Sequence, residues 1–326
     1  MNVLTIARNC FVESIRQPIY AVVLLVGVLA LVLNANLAAY TFEDDDKLLV
    51  DLGLSTLFVA GLLLAAFLAS SVLSREIENK TVLVVVSKPV ARAAVVVGKY
   101  LGVAGAIALA YWTLSTVFLL SVRHRVRPAT DAVTAFDMPV IVFALLGGIL
   151  AIGGAALANY LFRRPFPSLL AGCLAAGMTA ALTMVWCIDS RWRLQHPLAD
   201  WDGQLMIAIA LVLEAVLVLA AVAIAASTRL GQVMTLLVCA GTFLAGLVSE
   251  HFLGGAGPGT DGWTATLLRP LFVLVPNLQT FWMADALTQA APVSLRYLAT
   301  ASLYAALMIG AIVSLAVILF QRRDVG

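Results

Sequence analysis

Charged side chains are scarce in this 326-residue sequence. Asp, Glu, Lys and Arg make up 12% of it, whereas soluble domains contain about a quarter. Hydrophobic residues make up 62%, and no soluble core of a chain this long could bury so much apolar surface. The composition therefore excludes a soluble protein and predicts an integral membrane protein.

Cysteine is rare as well, and no two cysteines have the CxxC spacing of zinc or redox sites. The four cysteines stand alone, at Cys10, Cys173, Cys187 and Cys239. This pattern predicts neither a disulfide framework nor a metal site.

Catalytic motifs are also missing. The three histidines are scattered, and the sequence contains no HExxH or GxSxG. The pair Gly98-Lys99 is not a phosphate loop, because Ala93 and Tyr100 stand where that motif needs Gly and Ser or Thr. We therefore expect no enzyme activity, no bound cofactor and no nucleic-acid surface in this chain. If ATP is used, another polypeptide binds it.

Long apolar runs dominate the sequence. A membrane-spanning helix needs about 20 apolar residues, and eight segments qualify, at 18–40, 52–73, 93–122, 139–162, 166–188, 204–227, 232–253 and 297–320. The predicted fold class is therefore all-α, a polytopic integral membrane protein of about eight transmembrane helices. With a cytoplasmic N-terminus, 12 of the 20 Lys and Arg lie inside and 8 outside, which favours N-in and C-in. Residues 122–128, VRHRVRP, do not fit this orientation, because it places their three arginines outside.

The first 17 residues are predicted to form an amphipathic helix on the cytoplasmic face, since Val3, Ala7 and Phe11 recur near helical spacing. The apolar run that begins at residue 18 is long enough to span, so a retained anchor is favoured over a cleaved signal peptide. The acidic run at 43–46 could bind calcium, but it lacks EF-hand spacing, and a solvated turn is the preferred interpretation.

Small residues recur at helical spacing within the spans. Lipid gives helices no hydrophobic reason to associate, so such ridges indicate contact faces. Gly98 and Gly102 begin one ridge, and Gly147 and Ala151 belong to another. The fifth span has a third ridge at residues 172, 176 and 180. We interpret all three as internal packing first and as a subunit interface second.

Glu214 is the ionisable residue that lies well within a predicted span. A charge in lipid is costly, which makes such a residue a functional candidate. The alternative is a protonated or paired carboxyl that serves structure, and the sequence does not separate the two.

The segment 74–92, SREIENKTVLVVVSKPVAR, lies between the second and third spans. Glu76 and Lys80 are four residues apart in the favourable order, so the second span is predicted to continue as a helix beyond the membrane. Thr81 can cap a new short helix that stops before Lys88-Pro89. This apolar helix either lies in the headgroup region or fits a groove on a soluble partner.

The order of several motifs resembles the permease subunits of ABC transporters of the second exporter type (ABC-2), above all the multicopper-enzyme maturation permease branch. The similar pieces are RExENKT, an apolar run, SKPVAR and GKYLG, with AVAIAASTRLGQ at 221–232, VPNLQTFWMADAL at 275–287 and FQRRD at 320–324. The family core has six spans, so the resemblance implies an extra pair between the third span and residue 227.

The resemblance implies that a separate ABC ATPase subunit binds ATP and Mg and pushes on a coupling helix in 74–92. The implied ATPase-coupling residues are Glu76, Glu78, Thr81, Val82, Leu83, Val84, Val85, Val86, Lys88, Pro89 and Arg92. Lys88 and Arg92 can also serve as positive-inside anchors. A second permease subunit and the lipid bilayer complete the implied partners, in a bacterial cell membrane.

The implied organisation is a cytoplasmic helix at 1–17 and a transmembrane permease domain at 18–326, with an outer segment at 254–296. In that segment, residues 277–289 are predicted to form a helix that serves as an outer gate or an interfacial anchor. An ATP-driven exporter is the favoured function. The alternatives are an ion-coupled secondary transporter that uses Glu214, and a non-transporting scaffold of an assembly or motility complex.

Overall fold

A computed structural model describes residues 2–37, 45–78, 92–124, 136–197, 199–253, 275–288 and 292–321. Over these ranges the regular secondary structure is helical, apart from one isolated antiparallel bridge between Ile188 and Leu194. The α-helices, in chain order, are α1 (Val3–Arg16), α2 (Pro18–Leu37), α3 (Asp45–Glu78), α4 (Arg92–His124), α5 (Met138–Phe162), α6 (Phe166–Cys187), α7 (Gly203–Ser227), α8 (Gln232–Leu253), α9 (Ala284–Thr288) and α10 (Leu295–Gln321). A short 3₁₀ helix covers Leu278–Phe281.

Seven of these helices, α2 to α7 and α10, are long and apolar enough to cross a membrane. They correspond to seven of the eight predicted spans, so the prediction of an all-helical, multi-span chain is confirmed. The remaining predicted span falls on α8, whose apolar stretch within the described residues is the shorter Gln232–Leu247.

The chain divides into two compact units. One consists of Met1–Cys10, Ala65–Ala104 and Ala210–Gly326, and the other of Phe11–Leu64 and Gly105–Ile209. Helices α1, α3, α4 and α7 each contribute to both.

Two helices are far longer than a bilayer requires. α3 has 34 residues and α4 has 33, so each extends about 50 Å at 1.5 Å per residue. The hydrocarbon core is about 30 Å thick, so both helices continue beyond it. α3 reaches Glu78, in agreement with the continuation that the spacing of Glu76 and Lys80 predicts.

Helices α5 and α6 form a tight antiparallel pair. Arg163 has a left-handed φ of 50° and ends α5, and Pro165 and Pro167 start α6, because proline fits the first turn of a helix. A Cβ added at Gly147 would lie 2.7 Å from the carbonyl oxygen of Gly177. Only glycine at both positions allows the two backbones to approach so closely.

The small-residue ridge predicted in the fifth span, at residues 172, 176 and 180, is not the face by which this helix contacts α5. A Cβ added at Gly172 would meet no atom within 4 Å, and Ala176 and Ala180 are exposed. The contact face of α6 instead carries Gly177 and the buried Ala181. The prediction of internal packing is therefore wrong for this ridge, since the helix is rotated so that a neighbouring row of small residues faces α5.

We expect Gly147→Ala to lower the free energy of unfolding by about 1–3 kcal/mol, because the new methyl group clashes with backbone atoms of Gly177. The matched control is Gly154→Ala in the same helix, where an added Cβ meets nothing within 4 Å. Thermal unfolding in detergent micelles measures both. Equal effects of the two substitutions would contradict the close contact.

Candidate functional site

The predicted coupling segment is described only at its ends. Glu76 and Glu78 belong to the last turns of α3, and Arg92 is the first residue of α4. The other predicted ATPase-coupling residues lie outside the described residues: Thr81, Val82, Leu83, Val84, Val85, Val86, Lys88 and Pro89. Residues 43 and 44 of the acidic run also lie outside them.

Arg92 ties the start of α4 to the C-terminal helix. Its Nη1 donates a hydrogen bond to the carbonyl oxygen of Gln321, 2.8 Å away, at the last residue of α10. The last carbonyls of a helix have no partner within it and carry its negative dipole end, so a guanidinium is well suited to this place. The exit of the coupling segment is thereby joined to a helix more than 200 residues away in sequence.

The first helix packs into a groove on α4 made by glycines. A Cβ added at Gly98 would lie 2.8 Å from the Ile6 side chain, and one at Gly102 would lie 2.6 Å from the Ala7 carbonyl oxygen. Cys10 Sγ also donates to the carbonyl oxygen of Lys99 at 3.4 Å. The small-residue ridge at Gly98 and Gly102 thus faces α1, which fixes α1 to the beginning of α4.

Glu214 lies in the middle of α7 and faces α10. Its Oε1 accepts a hydrogen bond of 2.6 Å from Ser302 Oγ, while its Oε2 is buried. Three residues further along α7, the carbonyl oxygen of Leu217 accepts from Tyr100 of α4 at 3.3 Å. The described partner of Glu214 is an uncharged hydroxyl, and this hydrogen bond joins α7 to α10.

The helix predicted at 277–289 is broken. The 3₁₀ helix Leu278–Phe281, capped by Asn277, is followed by the separate short helix α9. Leu278 and Phe281 are almost fully buried, and the Phe281 ring packs on Tyr304 of α10. Residues three apart share a face of a 3₁₀ helix, so both side chains are buried together.

Polar bonds hold this segment against its neighbours. Gln279 Nε2 donates to the Leu247 carbonyl oxygen of α8 at 2.6 Å, and the Tyr297 hydroxyl of α10 donates to the Thr280 carbonyl oxygen at 2.8 Å. The segment is therefore packed between helices, and Trp282 within it is half-buried.

Arg123 is the centre of a polar cluster that the sequence did not reveal. Its guanidinium is 10% exposed and lies 2.9 Å from the Asp200 carboxylate and 3.6 Å from that of Asp137. It also donates to the carbonyl oxygens of Val185 and Ile188, at the end of α6. One side chain of α4 thus fixes the start of α5, the end of α6 and the connection to α7.

The signal for this cluster was present but ambiguous. Arg123 belongs to VRHRVRP, the segment that the predicted topology places outside, against the bias of the other Lys and Arg residues. An arginine in such a place often has partners within the protein. Its partners are separated from it by 14 to 77 residues, and no sequence spacing links them.

Comparisons with known proteins give one family. A family model described as ABC-2 family transporter protein matches residues 48–232, more than half of the chain. A comparison with the curated proteins gave no match.

We expect Arg123→Gln to lower the free energy of unfolding by about 3–5 kcal/mol, because it leaves a buried carboxylate without its cation. Arg229→Gln, which removes an exposed arginine between α7 and α8, is the control. Thermal unfolding in detergent micelles reports both. A loss no larger than that of the control would show that the cluster is not structural.

Proposed function

The chain belongs to the ABC-2 transporter family and is an ABC transporter permease, and we propose that it couples ATP hydrolysis by a separate ATPase subunit to substrate movement. The observation that carries this proposal is the attachment of Arg92, where the coupling segment ends, to the last carbonyl of α10. We further propose an N-in, C-in orientation, export as the direction, and the multicopper-enzyme maturation permeases as the branch.

The helices beside the coupling segment are suited to transmit a force. α3 and α4 continue beyond the hydrocarbon core and end at Glu78 and Arg92, so residues 79–91 are reached by two stiff helices. A displacement at 79–91 moves the ends of both helices directly, because a helix keeps its hydrogen bonds when it moves as a rigid body.

Contacts at the start of α4 pass such a displacement to two more helices. The glycine groove at Gly98 and Gly102 holds α1, and Arg92 holds α10. The ATPase would therefore act on a group of four connected helices. ATP binding shifts the equilibrium between two packings of the bundle, by no more than its difference in affinity for them.

The complex we propose contains two ATPase subunits and a second permease subunit, either a copy of this chain or a relative. ATP and Mg bind to the ATPase, and this chain supplies the path through the membrane. The eighth span is proposed on α8, which would give the even number that N-in and C-in require.

We expect the double substitution Val84→Asp and Val85→Asp to abolish co-purification with the ABC ATPase, because two carboxylates cannot be buried in an apolar groove. The control places the same two charges at Gly231→Asp and Gln232→Asp, two exposed positions just before and at the start of α8. Membrane insertion should be normal in both. Complex formation by the Val84/Val85 variant would exclude the segment as the ATPase contact.

Glu214→Gln tests the ion-coupled alternative. The amide oxygen still accepts the Ser302 hydrogen bond, worth about 1 kcal/mol, but the side chain can no longer exchange a proton. We expect the ATPase activity and transport of the assembled complex to stay within about twofold of the wild type, since that hydrogen bond is kept. Loss of transport with normal assembly and normal ATPase binding would favour the ion-coupled transporter instead.

A further inference from the structure

A small hairpin follows α6, at residues 188–194. Ile188 and Leu194 form an antiparallel bridge, and the Asp189 N–H donates to the Arg193 carbonyl oxygen at 2.8 Å. The Trp192 N–H closes the turn on the Asp189 carbonyl oxygen at 2.9 Å. The hairpin thus has a defined, hydrogen-bonded shape.

The tip residue has an unusual backbone conformation. Trp192 has a φ of 59°, in the left-handed region where a three-residue hairpin loop normally places glycine. A bulky residue there is strained, and such strain persists at sites where the side chain has a task. The chain therefore keeps a tryptophan where glycine would fold more easily.

The base of the hairpin is held firmly. Arg123 donates to the Ile188 carbonyl oxygen, and the Gln195 N–H donates to the Cys187 carbonyl oxygen at 2.9 Å. Trp186 of α6 and Trp201, just before α7, pack edge to face at 5.6 Å. Tryptophan favours the membrane interface, and this pair lies where both helices leave the membrane.

The tip folds back toward the membrane. The Trp192 ring lies 6.0 Å from the ring of Phe143, the sixth residue of the spanning helix α5 and hence about 8 Å along its axis. Trp192 is 53% exposed and Leu194 89%. Trp192 therefore lies beside a helix that exposes the apolar side chains of Val142, Leu145 and Leu146.

The charge that remains available at the tip is positive. Arg191 and Arg193 flank Trp192, are exposed, and form no ion pair with any residue in the described part of the chain. Two acidic neighbours are engaged elsewhere, since Asp200 pairs with Arg123 and Asp202 accepts from the first N–H groups of α7. The pKa of Asp189 is lowered first by a hydrogen bond from the Ser190 backbone and also by the positive charges of Arg123 and Arg191. One carboxylate beside two arginines leaves the tip with a net positive charge.

We propose that the hairpin 188–194 docks into the adjacent membrane leaflet as a binding site for anionic phospholipid. Trp192 and Leu194 enter the boundary between headgroups and acyl chains, and Arg191 and Arg193 bind the lipid phosphates. Apolar side chains beside exposed arginines are the combination that a negatively charged bilayer surface selects. This site is independent of ATP coupling and of the orientation of the chain.

The test of the charges is lipid retention by the full chain, purified from nanodiscs of phosphatidylglycerol and phosphatidylcholine and measured by native mass spectrometry. Arg191→Gln with Arg193→Gln should weaken phosphatidylglycerol retention about thirtyfold, since each arginine near an anionic surface contributes about 1 kcal/mol to binding. Phosphatidylcholine retention should not change. The control, Arg163→Gln with Arg164→Gln, removes the same charge from the exposed turn between α5 and α6. Equal losses in the two variants would overturn the proposal.

The test of the tip is Trp192→Gly, which relieves the strained φ and so leaves the fold intact. In lipids brominated near the headgroup, the quenchable part of the tryptophan fluorescence should fall relative to the wild type, although the other five tryptophans remain. An unchanged quenchable part would show that Trp192 is not in lipid.

Unchanged lipid retention in the arginine variant, together with an Arg191-dependent cross-link to a second protein, would assign the hairpin to a protein partner and overturn the lipid site.

Discussion

Helices in lipid have no water to expel from between them, so their association depends on how closely the backbones approach. The Gly147–Gly177 contact and the groove that Gly98 and Gly102 offer to α1 both meet this constraint. Close approach adds dispersion contacts, and it also brings polar groups within bonding distance. The bond from Cys10 to the Lys99 carbonyl requires the two helices to touch at Gly102. Glycine placement thus determines which polar ties can form.

Two arginines then fix helix ends that glycine contacts alone would leave loose. Arg92 and Arg123 both donate to carbonyl oxygens at the C-terminal end of another helix, where the dipole is negative. Arg123 also needs its two carboxylate partners, because a guanidinium only 10% exposed cannot rely on water. Its position is explained by these partners and not by the side of the membrane. The position of Arg123 on the outer side of the predicted topology is therefore not evidence against an N-in orientation.

Features that depend on residues close together in the sequence could be predicted from it. Apolar length located seven spanning helices, and the four-residue spacing of Glu76 and Lys80 extended α3 to Glu78. Features that depend on helix rotation were harder to predict: α6 is rich in small residues, and its contact row runs through Gly177 rather than Gly172. The partners of Arg92 and Arg123 are distant in sequence. The Phe281–Tyr304 contact beside the break before α9 joins residues 23 apart in sequence, which no local propensity encodes.

Because charged residues are scarce in this chain, the partner of each charged side chain near lipid shows what that side chain does. In a chain with 12% charged residues, a side chain that keeps its charge near lipid needs a partner, because an unpaired ion there is costly. Arg92 and Arg123 find theirs within the protein, and Glu214 has a hydroxyl. Arg191 and Arg193 instead lie on a braced hairpin beside an exposed tryptophan, turned toward a spanning helix. The bilayer is in contact with that helix, and its phosphates are the anions available to these arginines besides the Asp189 carboxylate.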